Sequence, residues 1–146
     1  IKEMKIKSIA VSKKKGTRKE CVDEARLKEN FGLEGDAHAG DWHRQVSFLA
    51  AESIELARSQ GLDVTFGDFA ENIATTGIDW KSQPVGQRVS LGKDAQVEIT
   101  QIGKECHKKC AIYYRTGDCI MPKEGVFAKV LTGGIIKVGD DIALVD

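Results

Sequence analysis

The chain has 146 residues, 41% hydrophobic and 30% charged, which suits one soluble domain over residues 1–146 with its own core. Basic and acidic residues number 22 each, so the net charge is zero and a broad nucleic-acid-binding surface is not expected. No apolar run approaches the ~20 residues that cross a bilayer, and the first twelve residues lack the apolar region of a secretory signal, so we expect a cytoplasmic protein without a membrane partner.

Short segments separated by glycine dominate the chain, which has 15 glycines and only two prolines. This punctuation favours a β-rich fold over a helical bundle. In chain order, strands are predicted over Met4–Val11, Glu20–Lys28 and Gln45–Ala50. A helix over Ala51–Gln60 follows the third strand directly.

Two stretches, 31–40 and 68–76, have the composition of loops. Beyond them, Arg88–Leu91 and Ala95–Ile102 are predicted as strands joined by a turn at 92–94, because Val97 and Ile99 alternate with polar residues.

Near the end of the chain, Gly125–Leu131 fits either a short helix or a strand. Ile135–Val138 and Ile142–Val145 flank Gly139–Asp141, a pattern that predicts a hairpin. Six or more strands and one clear helix predict a mainly β fold, a β-barrel or closed curved sheet with a few short helices.

Reactive groups concentrate between Gly103 and Cys110, where two thiols, an imidazole and three amines lie within eight residues. A thiol acts as a nucleophile or sulfur carrier in its thiolate form, which nearby positive charge favours. Three of the four cysteines, Cys106, Cys110 and Cys119, lie within fourteen residues. In a reducing cytoplasm this grouping indicates a site more than a disulfide framework.

Several short motifs follow one another along nearly the whole chain. They are Gly32-Leu33-Glu34-Gly35-Asp36-Ala37-His38, Phe69-Ala70-Glu71-Asn72-Ile73, Val85-Gly86-Gln87-Arg88-Val89, Gly103 with Cys106, Gly125-Val126-Phe127 and Val138-Gly139-Asp140-Asp141-Ile142. In joint order and spacing they resemble a MOSC domain, the C-terminal domain of molybdenum-cofactor sulfurases, in its small stand-alone bacterial form. The resemblance implies a β-barrel with few helices.

The resemblance also implies a role in handling sulfur for the molybdenum cofactor, or in binding it. The cysteine at the position of Cys106 would carry sulfur as a persulfide or ligate molybdenum. Lys104, His107 and Lys108 would favour its thiolate if they point toward it. Cys110 is the alternative functional thiol.

Molybdopterin carries a phosphate and dithiolene sulfurs, so its site needs cationic and polar groups. We predict Arg44, Asn72, Arg88 and Lys108 as contacts to this cofactor. The histidines and aspartates of the segment 36–44 more often make turns than metal sites.

Full-length sulfurases mobilise sulfur with a pyridoxal-phosphate domain, for which this chain has no room, so pyridoxal phosphate is not expected to bind here. A separate cysteine desulfurase would supply the sulfur and a molybdoenzyme would receive it. The sequence leaves a homodimer open.

Two alternative functions remain, and the roles of the extra thiols are open. The protein could be a cofactor-binding or chaperone module without chemistry of its own, or a molybdenum-dependent reductase of N-hydroxylated compounds. The extra thiols of Cys110 and Cys119 could resolve a persulfide on Cys106 or help to hold a metal such as zinc, although their spacing is not that of a zinc ribbon.

Overall fold

Two β-sheets and one α-helix make up the part of the chain that the computed structural model describes, residues 3–15, 17–103 and 124–145. The strands are β1 (Lys5–Val11), β2 (Glu20–Val22), β3 (Glu24–Lys28), β4 (Gly32–Leu33), β5 (Val46–Ala50), β6 (Ile73–Thr76), β7 (Arg88–Leu91), β8 (Ala95–Ile102), β9 (Val126–Thr132), β10 (Gly134–Lys137) and β11 (Ile142–Val145). The helix α1 spans Ala51–Ser59, and a short 3-10 turn covers Trp80–Ser82. No helix among these residues is long and apolar enough to cross a membrane.

The larger sheet has eight strands in the order β11-β7-β8-β9-β5-β6-β1-β2, and the smaller sheet has the order β10-β3-β4. Almost all neighbours are antiparallel. The exception is β5 with β6, which run parallel because α1 carries the chain back between them.

The core lies between the inner faces of the strands. Val46 and Phe48 of β5 point into it, together with Val97 and Ile99 of β8, and each of the four is completely inaccessible. Alternation along β8 produces this face, as the sequence predicted. On the other side of β5, Leu49 packs in a second cluster with the buried residues of α1.

The mainly β class is confirmed, but closure of the sheet into a barrel is not supported by the strands described. The turn before β11 does meet the start of β1, because Ile6 N donates to Asp140 O (2.9 Å) and Gly139 N donates to Ile6 O (2.8 Å). A third bond, from Ile142 N to Met4 O (2.9 Å), and an isolated bridge, Lys5 with Asp141, accompany them, but no ladder of paired residues forms between β1 and β11. The larger sheet therefore ends at β11 and β2 as open edges.

The hairpin predicted around Gly139–Asp141 is wrong. The two flanking strands belong to different sheets, β10 pairing with β3 and β11 with β7. The turn itself forms, since Asp140 N donates to Lys137 O (3.0 Å) and Gly139 has a φ of 96°. The backbone groups of Gly139 and Asp140 bond to Ile6 of β1 instead of pairing β10 with β11.

Two short strands lie where loops were predicted, β4 within 31–40 and β6 within 68–76. The segment Gly125–Leu131, left open between helix and strand, contains most of the strand β9. The strand predicted over Glu20–Lys28 divides into β2 and β3, which lie in different sheets.

Candidate functional site

Arg44 is the last residue but one before β5, and its guanidinium lies between two aromatic rings. The guanidinium carbon is 5.2 Å from the centroid of the Trp42 ring and 5.6 Å from that of Phe127. Both distances are within the range of a cation–π contact. The Nε atom of Arg44 is buried and has no hydrogen-bond partner among the described residues. A buried guanidinium nitrogen in this state fits an anionic ligand.

His43 joins the same loop to the end of β8. Its Nε2 atom is 2.9 Å from Gln101 Oε1, and its carbonyl oxygen accepts a hydrogen bond from the Thr100 hydroxyl. Gln101 Nε2 donates to Gly103 O (2.8 Å), and Gly103 N donates to Gly125 O (2.6 Å). The two points from which the chain leaves for residues 104–123 and returns are thus adjacent, and one of them is tied to His43.

The predicted thiol chemistry falls within 104–123, outside the described residues. This applies to Lys104, Cys106, His107 and Lys108, and to the alternative thiols Cys110 and Cys119. Their roles stay predictions. Within the described ranges, no three histidine, cysteine, aspartate or glutamate side chains are grouped so as to hold a metal ion.

A buried ion pair that the sequence did not reveal links the loop that leads to Arg44 to the segment before β2. Lys19 Nζ is 2.7 Å from Asp36 Oδ1, and both side chains are completely inaccessible. Burial alone would raise the pKa of Asp36, but the hydrogen bond and charge of Lys19, with the hydrogen bond from Ser12 N, hold it below its ordinary value. His38 Nδ1 is 3.2 Å from the same ammonium.

A model of the MOSC domain matches residues 34–143, which include Asp36, Arg44 and Asn72. The chain belongs to the MOSC domain family. That family is associated with functions related to the molybdenum cofactor.

Solved structures agree with this MOSC domain in fold. The YuaD protein from Bacillus subtilis has a TM-score of 0.77 at 18% identity, with 97% of this chain and 96% of that one covered. YiiM from Geobacillus stearothermophilus has a TM-score of 0.75 at 22% identity over 98% and 75% of the two chains. YiiM from Escherichia coli has a TM-score of 0.69 at 21% identity over 97% and 70%. No curated protein sequence matches the chain significantly.

Asn72, predicted to contact the cofactor, is buried and bonded within the MOSC domain. Its Oδ1 accepts hydrogen bonds from the backbone N (3.0 Å) and hydroxyl (3.2 Å) of Ser47, and its Nδ2 donates to Ala10 O (3.1 Å). These bonds connect the start of β6 to β5 and β1. They explain why an asparagine is needed here, and contact with the cofactor stays a prediction.

Arg88, the second predicted anion contact, is exposed at the start of β7. It lies opposite Glu98 of β8, which lies opposite Lys129 of β9, so the three charges form a row across one face. Phe127 is two residues from Lys129 on the same strand and shares that face. Arg44 and Arg88 therefore lie on the same face of the larger sheet, the face that carries Phe127.

Glu71 is a further buried titratable group, and it lies in one of the motifs that resemble the family. Its oxygens accept hydrogen bonds from Gly67 N (2.6 Å) and Phe69 N (3.2 Å). Burial outweighs these bonds and raises the pKa of Glu71 to about 7. Gly67 O in turn accepts a hydrogen bond from Lys19 N (2.7 Å), so the loop held by Glu71 also supports the buried ion pair.

No local sequence pattern predicts that Lys19 is buried in an ion pair. It lies in a basic segment that resembles a solvated loop, and its partner is 17 residues away. Asp36 and His38, by contrast, lie within one of the motifs that resemble the family. Asp36 bonds to Ser12 N (3.0 Å) and His38 N (3.1 Å) as well as to Lys19, which accounts for an aspartate at this position.

Proposed function

We propose that this MOSC domain binds the molybdenum cofactor and handles sulfur for it, with Cys106 carrying the sulfur as a persulfide. The observation that supports this most directly is the buried, unpartnered Nε of Arg44 between Trp42 and Phe127. The neighbouring residue, His43, is bonded to the end of β8, and Cys106 follows β8 within four residues. The proposed anion-binding group is thus next to a residue bonded to β8, and the candidate sulfur carrier follows β8 in the sequence.

The described residues fit the cofactor in charge. The Arg44 guanidinium can bind a phosphate through two parallel hydrogen bonds, and the aromatic rings beside it keep it in a fixed orientation. Arg88 adds positive charge on the same sheet face, and Lys108 and Asn72 are the remaining proposed contacts. When bound, the cofactor supplies a soft metal centre that takes sulfur ligands.

Sulfur loading is an exchange without net oxidation. The thiolate of Cys106 attacks the outer sulfur of a persulfide on the donor. The donor's sulfur–sulfur bond breaks, the donor leaves as a thiolate, and a new sulfur–sulfur bond forms on Cys106. Lys104 and His107, if they face the thiol, favour its ionised form. The proposed donor is a separate cysteine desulfurase, and the proposed acceptor is a molybdoenzyme in the cytoplasm.

Intact-mass measurement tests the carrier role. After incubation with a cysteine desulfurase and cysteine, the wild-type protein should gain one sulfur atom that a thiol reductant removes. The Cys106→Ser variant should gain none, whereas the matched Cys110→Ser variant should gain it normally. The opposite pattern would assign the role to Cys110. No gain in the wild type would refute sulfur carriage.

Cofactor affinity tests the binding role independently. Replacing Arg44 by Gln removes a charged hydrogen-bonding group, for which about a tenfold to hundredfold loss of affinity is expected. Arg58→Gln on the exposed side of α1 is the matched control and should bind like wild type. Equal affinity in both variants would refute the Arg44 site. If Cys106→Ser keeps both cofactor binding and downstream sulfuration, the protein is a binding or delivery module.

A further inference from the structure

The side-chain amide of Gln45, the residue next to Arg44, is completely buried and is bonded at both ends. Its Oε1 atom accepts from the backbone N of Val130 in β9 (2.9 Å), and its Nε2 atom donates to Asn30 Oδ1 (2.9 Å). A buried amide costs free energy unless it is hydrogen-bonded, so these two bonds give the Gln45 side chain a defined position. The proposed cofactor contacts do not include Gln45.

The two ends of this hydrogen-bond chain fix the orientation of both amides. Because Val130 N is a donor, the atom of Gln45 that faces it must be the oxygen. The amide nitrogen of Gln45 then needs an acceptor, which Asn30 Oδ1 supplies. Asn30 Nδ2 in turn donates to Asp41 Oδ1 (3.1 Å), and an ionised carboxylate only accepts. The bonds therefore run in one direction from β9 to Asp41, and they join both ends of the segment that contains Arg44.

Val130 is the position at which Arg44 would join the sheet if β5 were longer. Val46 of β5 pairs with Ala128 of β9. An antiparallel ladder continued by two residues in each strand would therefore place Arg44 opposite Val130. Both backbone groups of Val130 have other partners, Gln45 Oε1 for its N–H and a backbone N–H of the loop before β4 for its carbonyl (2.9 Å). The side chain of Gln45 thus occupies the place of the Arg44 backbone, and the chain bends there, one residue before β5 begins.

The end of the ladder decides which face of the sheet Arg44 reaches. Side chains two residues apart in a strand point to the same face, so a continued β5 would direct Arg44 toward the core with Val46. The guanidinium instead lies over the ring of Phe127, which packs in the second cluster on the opposite face. The exit from the ladder at Gln45 therefore moves a positive charge from the core face to the face that carries the aromatic ring.

We propose that Gln45, oriented by Asn30, is a positioning residue that ends the β5–β9 ladder and turns Arg44 to the face on which its guanidinium binds an anion. Because Gln45 is completely inaccessible, it acts through Arg44 and not by contact with the ligand. Its backbone is held as well, since a Cβ atom on Gly32 of β4 would lie 2.6 Å from Gln45 O. The placement of Arg44 rests on these contacts, whereas the identity of the anion as the phosphate of the molybdenum cofactor rests on the proposed function.

Nuclear Overhauser contacts between the Nε–H of Arg44 and the ring of Phe127 test this placement without any ligand. The wild type should show these contacts, and Arg44→Gln assigns the Arg44 signal. Gln45→Met keeps the length of the side chain but has no amide to bond Val130 N, so the contacts should be lost. Unchanged contacts in Gln45→Met would overturn the proposal, and so would their absence from the wild type.

Two further variants separate positioning from a general loss of stability. Thr75→Val is the matched control, because it removes a different buried acceptor, the partner of Trp80 Nε1 (2.7 Å), and should leave the Arg44 contacts intact. Loss of the contacts in this control as well would refute a specific role for Gln45. If Gln45→Met fails to fold, Asn30→Gly decides, since it removes the partner of Gln45 Nε2 at an exposed position whose φ of 50° suits glycine. It should weaken the Arg44 contacts, and unchanged contacts would refute the proposal.

Titration with inorganic phosphate and with molybdopterin tests the consequence for binding. Gln45→Met should weaken binding about tenfold, whereas Thr75→Val should bind like the wild type. Equal affinity of Gln45→Met and wild type, with Arg44→Gln weakened, would refute the positioning role and leave the proposed function standing. Binding of phosphate without molybdopterin would refute the proposed function, and the phosphate affinities would then judge the role of Gln45. Binding of neither probe would refute the anion site itself, while the contacts measured by NMR still decide the placement of Arg44.

Discussion

Glu71→Gln isolates the effect of one buried charge on the stability of this MOSC domain. In the folded protein the carboxyl is 1% exposed, and burial raises its pKa to about 7 from an ordinary 4.5. The nearby charge of Asp68 acts in the same direction, while the backbone N–H groups of Gly67 and Phe69 oppose it. Glutamine has nearly the same shape and stays neutral at every pH.

The sign and size of this effect on the unfolding free energy follow from the difference in the pKa of Glu71 between the folded and unfolded states. Between pH 4.5 and about 7 the folded state holds a proton on Glu71 that the unfolded state has lost, so the free energy of unfolding falls as the pH rises. This contribution is complete below pH 4.5 and is lost as the pH passes the folded pKa. At about 1.4 kcal/mol per pH unit, the loss over the window is about 3 kcal/mol. The Glu71→Gln substitution removes this pH-dependent loss of stability. One of the two backbone N–H groups that Glu71 accepts from then lacks an acceptor, which costs about 1–3 kcal/mol at all pH values.

Urea unfolding followed by tryptophan fluorescence at pH 5, 6, 7 and 8 measures this directly, because Trp80 is buried and reports on the core. The difference in unfolding free energy between Glu71→Gln and wild type should shift in favour of the variant by about 2.5 kcal/mol from the lowest pH to the highest. The exposed Glu55→Gln on α1 is the control and should leave the pH dependence unchanged. Parallel profiles for wild type and Glu71→Gln would refute the assignment of this titration to Glu71.

Three further substitutions test the parts that hold the site. Asp36→Asn leaves the Lys19 ammonium buried without a counter-charge and should destabilise the fold by about 3 kcal/mol. In the wild type the folded state lowers the pKa of Asp36, so its stabilising contribution is present above the ordinary pKa of an aspartate. That contribution is lost as the pH falls through the folded-state pKa, and acid unfolding would show the loss. Asn72→Ala leaves Ser47 N without its side-chain acceptor and should cost about 3 kcal/mol in chemical denaturation, and wild-type stability would refute the bonding role. Gly67→Ala places a Cβ atom 2.2 Å from Lys19 O and should lower the melting temperature clearly more than Gly35→Ala, which has a similar positive φ but no atom within 4 Å.

Elements whose pattern is local were predictable. The strands β1, β5, β7 and β8 and the helix α1 agree with the sequence to within one residue at each end, because alternation or a run of apolar residues marks a buried face whatever the chain does elsewhere. The Gly92–Asp94 turn between β7 and β8 was equally clear, and these two strands do pair.

Elements that depend on distant partners were not predictable. β6 consists of Ile73–Thr76 and became a strand because β1 and β5 bond to both of its edges. The turn at Gly139–Asp141 has the composition of a hairpin turn, yet the curl of the larger sheet brings β1 to it. Pairing is decided by which backbone groups meet in space, and a local pattern carries no information about that.

The candidate site likewise has features that the sequence predicts and features that depend on the tertiary structure. By itself, the sequence determined the mainly β class, the helix after β5 and the order of motifs that points to the MOSC family, since these depend on residue types and spacings. Only the tertiary structure decided that Lys19 is buried against Asp36, that His38 faces its ammonium and that Arg44 lies between two aromatic rings. The physical reason is that a charge becomes a pocket group or an anchor through burial and through its neighbours, and both are set by segments that meet only when the sheet has formed.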